Sequence, residues 1–190
     1  AIFAAAALCL VATGCRQQPE KKTDMQYRPL GNTGLMVSEI SIGCGGFEKL
    51  DSAASLELMT MALDSGMNYI DIYDASPKTR SNIGYALQGR RDEMVIQGHI
   101  GTIYKDGQHC RTRDVDEARQ GFEDLLARLH TDHMDLFWIH TPKNVTKWTR
   151  AMIPLLWSGR CRCVGAANHS LEEIREADAI LKQAGLRLAA

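Results

Sequence analysis

The chain has 190 residues, a formal net charge of -1 and a charged fraction of 24%. That length is enough for one sizeable core, since single domains run to roughly 100–200 residues. Near-zero charge without a long basic or acidic run excludes the electrostatic footprint of a nucleic-acid binder.

Residues 1–15, AIFAAAALCLVATGC, form an apolar stretch that ends in small residues and Cys15. It is too short to span a bilayer and suits the h-region of a secretory signal. The small residues before Cys15 resemble the lipobox of bacterial lipoproteins, which implies diacylation of that cysteine and a membrane anchor in the cell envelope. Ala12 stands where leucine is usual, so a plainly cleaved leader, or a cytoplasmic protein, is the alternative. Residues 16–25 read as a polar tether with nothing to bury. The chain starts at Ala1 without a methionine or a basic n-region, so we expect further sequence before it. Of the six cysteines, Cys9 and Cys15 belong to the leader. Cys44, Cys110, Cys161 and Cys163 have neither CxxC pairing nor metal-ligand spacing with histidines, and read as free thiols.

From residue 38 onward short apolar runs alternate with segments of helical period. SEISIGCGG, MNYIDIYD, EMVIQGHI, MDLFWIHT, CRCVGAAN and LRLAA are strand candidates, several apolar on both faces as in a covered parallel sheet. Between them, Leu56, Met59 and Leu63 share a helical face that Gly66 ends, and Ile83 and Leu87 lie four apart. Asp114 to His130 carries Val115, Ala118, Phe122, Leu125 and Leu129 at steps of three or four, with Asp114 and Glu117 as a capping pair. In KWTRAMIPLLWSG, Pro154 predicts a kink. Ser170 with Glu173 repeats the capping signature before Leu171, Ile174, Ala177 and Leu181, and Gly185 stops that helix.

Alternating strands and helices predict an α/β fold with parallel strands, either an open doubly wound sheet or a (β/α)8 barrel. SIGCGGFEKL matches the dinucleotide-binding GxGxxG turn poorly. A barrel instead brings polar groups from the C-terminal ends of several strands to one mouth. Asp71, His99, His140 and Asn168 each close an apolar run in this way.

YRPLGNTGLMVSEISIGCGG, GMNYIDIYD, IGYAL, FEDLLARLHTDHMDLFWIHTP and VGAANHSLEEI, in this order, resemble the aldo/keto reductases over residues 26–190. The resemblance implies a (β/α)8 barrel that binds NADPH at its mouth and passes hydride to a carbonyl substrate. It implies that Asp71 and His140 are catalytic, that Asn168 binds the nicotinamide amide, and that Gly46 and Phe47 contact the cofactor. Ala167 stands where a serine normally precedes the asparagine.

Two central positions depart. The family's tyrosine position is Ser76, and its lysine position at the end of the third strand is His99. A serine hydroxyl is several pKa units more basic than a phenol and cannot replace it as an acid. Tyr73, two residues beyond Asp71, is one candidate donor, and His99 or His140 the others, with Asp71 favouring an imidazolium at His99. QGH with RSNIG resembles a reductase subgroup whose longer members often carry a C-terminal iron–sulfur segment, which this sequence lacks. LRLAA reads as the start of a sixth strand, so we expect a barrel truncated after about that strand. The functional expectation is an NADPH-dependent carbonyl oxidoreductase with altered chemistry. The alternatives are a degenerate barrel that binds a nucleotide or small carbonyl ligand, or a non-functional fragment.

Overall fold

A computed structural model describes residues 24–140 and 144–190 of the chain. The leader, Cys15 and all but the last two residues of the tether lie outside these, as do residues 141–143. The described residues begin with a small antiparallel hairpin, β1 (Tyr27–Pro29) and β2 (Met36–Ser38). Then follow β3 (Ile42–Gly43), a 3-10 turn over Cys44–Lys49, α1 (Ser52–Asp64), β4 (Tyr69–Ile72), α2 (Pro77–Ala86) and β5 (Val95–His99). A second hairpin, β6 (Thr102–Lys105) and β7 (Gln108–Arg111), precedes α3 (Val115–Leu129) and β8 (Met134–Ile139). The remaining elements are α4 (Val145–Trp157), β9 (Cys161–Ala166) and α5 (Leu171–Gln183).

The strands β3-β4-β5-β8-β9 form one parallel sheet in that order, each joined to the next by a helical crossover. The final residues continue it: Ala189 N donates to Val164 O (2.9 Å) and Ala166 N donates to Ala190 O (3.1 Å). Residues 186–190 thus run beside β9 in the position expected of a sixth strand. The architecture is a partial (β/α) barrel.

One face of the sheet makes the core. Ile70, Ile72, Ile96, Phe137, Ile139 and Val164 pack against helix residues such as Met59, Leu63, Ile83, Phe122 and Leu181. Alternation along each strand sends the intervening residues, including Asp71, Gln97 and His99, to the opposite face, the barrel interior. Below the sheet, buried Asp135 accepts from Ile96 N and Arg91 Nη2 (2.9 Å each) and from Arg162 Nη1 (2.9 Å), tying β5, β8 and β9 together.

Most helix expectations hold, with corrections. α1 buries Ser55, Met59, Ala62 and Leu63, whereas Leu56 is 40% exposed, because the buried stripe is rotated one position toward the N-terminus. Asp114 accepts from Asp116 N and Glu117 N, but the Glu117 carboxylate turns to Thr112 and Lys105, so the expected reciprocal cap is half made. The Ser170–Glu173 capping box is complete, although Leu171 points outward at 62% exposure. α4 continues through Pro154. The SEISIGCGG run contributes only a two-residue strand, because its glycines turn straight into the 3-10 segment.

Helix contacts also explain IGYAL. A Cβ built on Gly84 would lie 2.0 Å from Arg128 O and 2.9 Å from Leu129 Cα, so α2 crosses the end of α3 at backbone distance. Glycine to alanine in a helix interior ordinarily stabilises by about 1 kcal/mol. Here we expect Gly84→Ala to destabilise by about 2–3 kcal/mol, because backbone has to move. Urea unfolding of the two proteins reads the sign directly.

Candidate active site

The tips of β4, β5 and β8 meet on the interior face, and the register explains how. Asp71 is level with Gln97, and His99 is level with Trp138, so His140 lies two residues above His99's level. The three side chains climb in steps and still touch. His99 Nε2 is 2.7 Å from Asp71 Oδ1, His99 Nδ1 is 3.1 Å from His140 Nδ1, and Asn168 Nδ2 is 2.6 Å from His140 Nε2. His99 is buried, Asp71 and His140 are half-buried and Asn168 is exposed, so the chain of contacts runs from the interior to solvent.

The contacts fix the protons. Facing a carboxylate oxygen at 2.7 Å, His99 Nε2 has to carry hydrogen, and a neutral ring then leaves Nδ1 as acceptor. From the other end, Asn168 Nδ2 only donates, so His140 Nε2 accepts and Nδ1 carries the hydrogen. Both ends give the same order: Asn168 donates to His140, His140 to His99, and His99 to Asp71. The 3.4 Å approach of Gln97 Nε2 to His99 Nε2 is then a contact between two donors rather than a hydrogen bond. Burial, and next the positive charge of Arg111, lower the His140 pKa, which favours the neutral ring.

The local fold holds these groups. Asn168 has a left-handed backbone (φ 63°), a conformation asparagine tolerates better than most residues. Its neighbours are pinned to the end of β8, where Ala167 N (3.1 Å) and His169 Nε2 (3.2 Å) donate to Ile139 O. Beneath the histidines the Tyr69 hydroxyl donates to Gln97 Oε1. Burial, then the Asp71 charge, push that phenol up to about 12.

Other sequence candidates sit apart from this relay. Tyr73 is 46% exposed at the rim, with its ring edge-on to His109 (centroids 6.1 Å) and its hydroxyl over Gly45. Ser76 is buried and its hydroxyl donates to Glu48 Oε2, which also accepts from Thr79. Gly46 follows β3, exposed and with nothing within 4 Å of a built Cβ, whereas the Phe47 side chain is fully buried in the core. Among the described residues no group of three or more His, Cys, Asp and Glu side chains is arranged to hold a metal ion.

Sequence reasoning missed three contributors. Tyr69 and Gln97 lie two residues before Asp71 and His99, and the period of two puts them on the same face. The β6–β7 hairpin was also missed, although Asp106-Gly107 is a strong hairpin signal; both residues have positive φ. Gly121 lets the hairpin lie on α3, since a Cβ there would be 2.8 Å from Thr102 O. The hairpin brings His109 and Arg111 to the mouth: His109 Nδ1 accepts from Ala75 N (3.0 Å), and Arg111 Nη1 donates to His140 O (2.8 Å).

The sequence model of the aldo/keto reductase family matches residues 39–190. The chain belongs to that family. It is 28% identical over 162 residues to the aldo-keto reductase YhdN of Bacillus subtilis, covering 79% of this chain and 49% of that protein. It is 27% identical over 166 residues to a probable voltage-gated potassium channel subunit beta of Oryza sativa, covering 80% and 49%. Among solved structures, an aldo-keto reductase of Pseudomonas aeruginosa described as putative superposes with a TM-score of 0.70 at 26% identity, over 84% of this chain and 67% of that one. The holo form of the aldo-keto reductase AKR11C1 from Bacillus halodurans gives 0.68 at 27% identity, over 75% and 50%. The chain spans about half the length of the curated relatives it matches.

The proton order is open to measurement. Imidazole 15N spectra at pH 8 are expected to show both rings neutral, His140 protonated at Nδ1 and His99 at Nε2. Any other tautomer pair contradicts the relay.

Proposed function

We propose that the whole protein is an NAD(P)H-dependent oxidoreductase that reduces a carbonyl compound to an alcohol, with His99 and His140 taking over the proton-donating role of the family's tyrosine and lysine. The observation that carries this reading is the unbroken contact chain from Asp71 through His99 and His140 to the mouth. The residues fit the nicotinamide end of the cofactor. Asn168 is exposed, and its Oδ1 has no partner among the described residues, so it can accept from a carboxamide. The open backbone at Gly46 offers a second contact, with NADPH rather than NADH as the family's implication. The bound cofactor would supply the hydride.

The protein's own part is the proton. With one proton added, His99 is an imidazolium held by Asp71, His140 carries its hydrogen on Nε2, and its Nδ1 accepts from His99 Nδ1. As His140 Nε2 gives its proton to the developing alkoxide, Nδ1 takes the His99 proton and the relay returns to neutral. The exchange requires Asn168 Nδ2 to leave His140 Nε2, which a carboxamide oxygen accepting from Nδ2 would bring about.

The pH dependence has a definite sign. Burial and the Arg111 charge hold the His140 pKa down, so protonation of that ring is confined to pH values below the ordinary imidazole value of about 6.5. Carbonyl reduction is expected to rise as pH falls through that region, and Asp71→Asn to move the limb to still lower pH. With NADPH oxidation followed on a panel of aldehydes and quinones, His140→Ala is expected to cost about 10² to 10⁴ in kcat. Unchanged rate and unchanged acid limb in both His140→Ala and His99→Gln would remove the relay from the chemistry.

A binding-only barrel is the second reading. The commitment of Ser76 to Glu48 favours it, as does the channel-subunit name of one relative. NADPH that binds, by fluorescence, without oxidation by any carbonyl decides for it. We further propose lipid attachment at Cys15; Cys15→Ser is expected to release the protein from the membrane fraction.

A further inference from the structure

The hairpin crosses the mouth in a particular orientation. Tyr104 pairs with His109 and Thr102 with Arg111, so His109 and Arg111 project from one face of β7. That face runs from the end of β4, where His109 meets Ala75, to the end of β8, where Arg111 meets His140. A substrate whose carbonyl reached His140 Nε2 would lie close to Arg111, which bonds the backbone of the same residue.

Arg111 differs from most arginines of the fold. Arg80, Arg90, Arg91, Arg128 and Arg160 each pair with a carboxylate within 3.1 Å. Arg111 has no carboxylate partner among the described residues, and Nε and Nη2 make no hydrogen bond there. The nearest acids of the mouth are occupied. Asp71 holds His99, and Asp74 accepts from Ser76 N and Thr79 Oγ1 and faces His109 at 3.5 Å. An exposed guanidinium fork, fixed by one bond to the backbone of the relay histidine, is suited to bind a carboxylate.

We propose that Arg111 recognises an anionic group on the substrate, and that the carbonyl compounds taken by this mouth are oxo acids. The inference rests on the carbonyl-reducing reading above and adds the substrate class and the residue that selects it.

The test compares each acid with its own methyl ester, which keeps the carbonyl and removes the charge. For pyruvate against methyl pyruvate, and 4-oxobutanoate against its methyl ester, the ratio of kcat/KM values in the purified full-length protein is expected to favour the acid. Arg111→Gln is expected to lower that ratio about ten- to a hundredfold, the worth of a charge-assisted hydrogen bond, and Arg111→Lys to lower it less. An unchanged ratio overturns the inference while leaving carbonyl reduction intact. So does a rise in the NADPH KM that is equal with acid and ester, which assigns Arg111 to a cofactor phosphate. If no carbonyl turns over, the reading beneath fails, and pyruvate calorimetry still decides the site. Saturable binding lost in Arg111→Gln supports it, and absence of binding to the parent protein overturns it.

Discussion

The site depends on the stagger between parallel strands. Each strand rises by roughly 3.3 Å per residue, so a step of two residues is more than one hydrogen bond long. Asp71, His99 and His140 are nevertheless in contact, because each longer side chain reaches down or across to the tip below it. A one-residue slip of β5 against β4 would turn His99 into the helix-packed core and bring Gly98 inside. The core argues against that slip: a Cβ on Gly98 would be 2.8 Å from the Phe137 ring and 3.0 Å from Met134 Cε, so the side chains of the neighbouring β8 crowd that place. Core packing and proton geometry are thus set by one register.

Burial and charge then decide the state of the relay. A neutral imidazole pair satisfies every ring nitrogen in a single donor order, with Asp71 as the final acceptor. Adding a proton costs desolvation and meets the nearby Arg111 charge, and Asp71 offsets part of that cost.

Much of this was legible in the sequence, and the limits have physical causes. The polar tips announced themselves because each interrupts an apolar run at the point where a buried strand reaches the rim; that is why Asp71, His99, His140 and Asn168 could be grouped without coordinates. Strand period also carried Tyr69 and Gln97, but their roles appear only when two strands are aligned. The hairpin had a local signal in Asp106-Gly107, yet its destination depends on Gly121, sixteen residues from that turn's Thr102–Lys105 strand at the nearest and meaningful only once α3 is placed. The face of α1 was read one position out because that helix is apolar all round, with Leu56, Leu58 and Met61 exposed.

The mouth also favours imidazoles over the remaining phenols for the donor role we propose. A general acid has to hold its proton near neutrality and give it up at little cost. Tyr69 is pushed up to about 12 and its hydroxyl is spent on Gln97. Tyr73 is also raised, first by the Cys44 sulfur beside it, and stands at the solvent rim. The Ser76 hydroxyl is turned away to Glu48. Among the described residues His140 combines an imidazole, contact with His99 as a route back to the Asp71 carboxylate, and a second ring nitrogen that touches the exposed Asn168. An arginine fixed to its backbone would then do more than attract an anion. Burial is the first cause of the lowered His140 pKa and the Arg111 charge the second, so a bound carboxylate that neutralised Arg111 would remove that second part and favour protonation of His140.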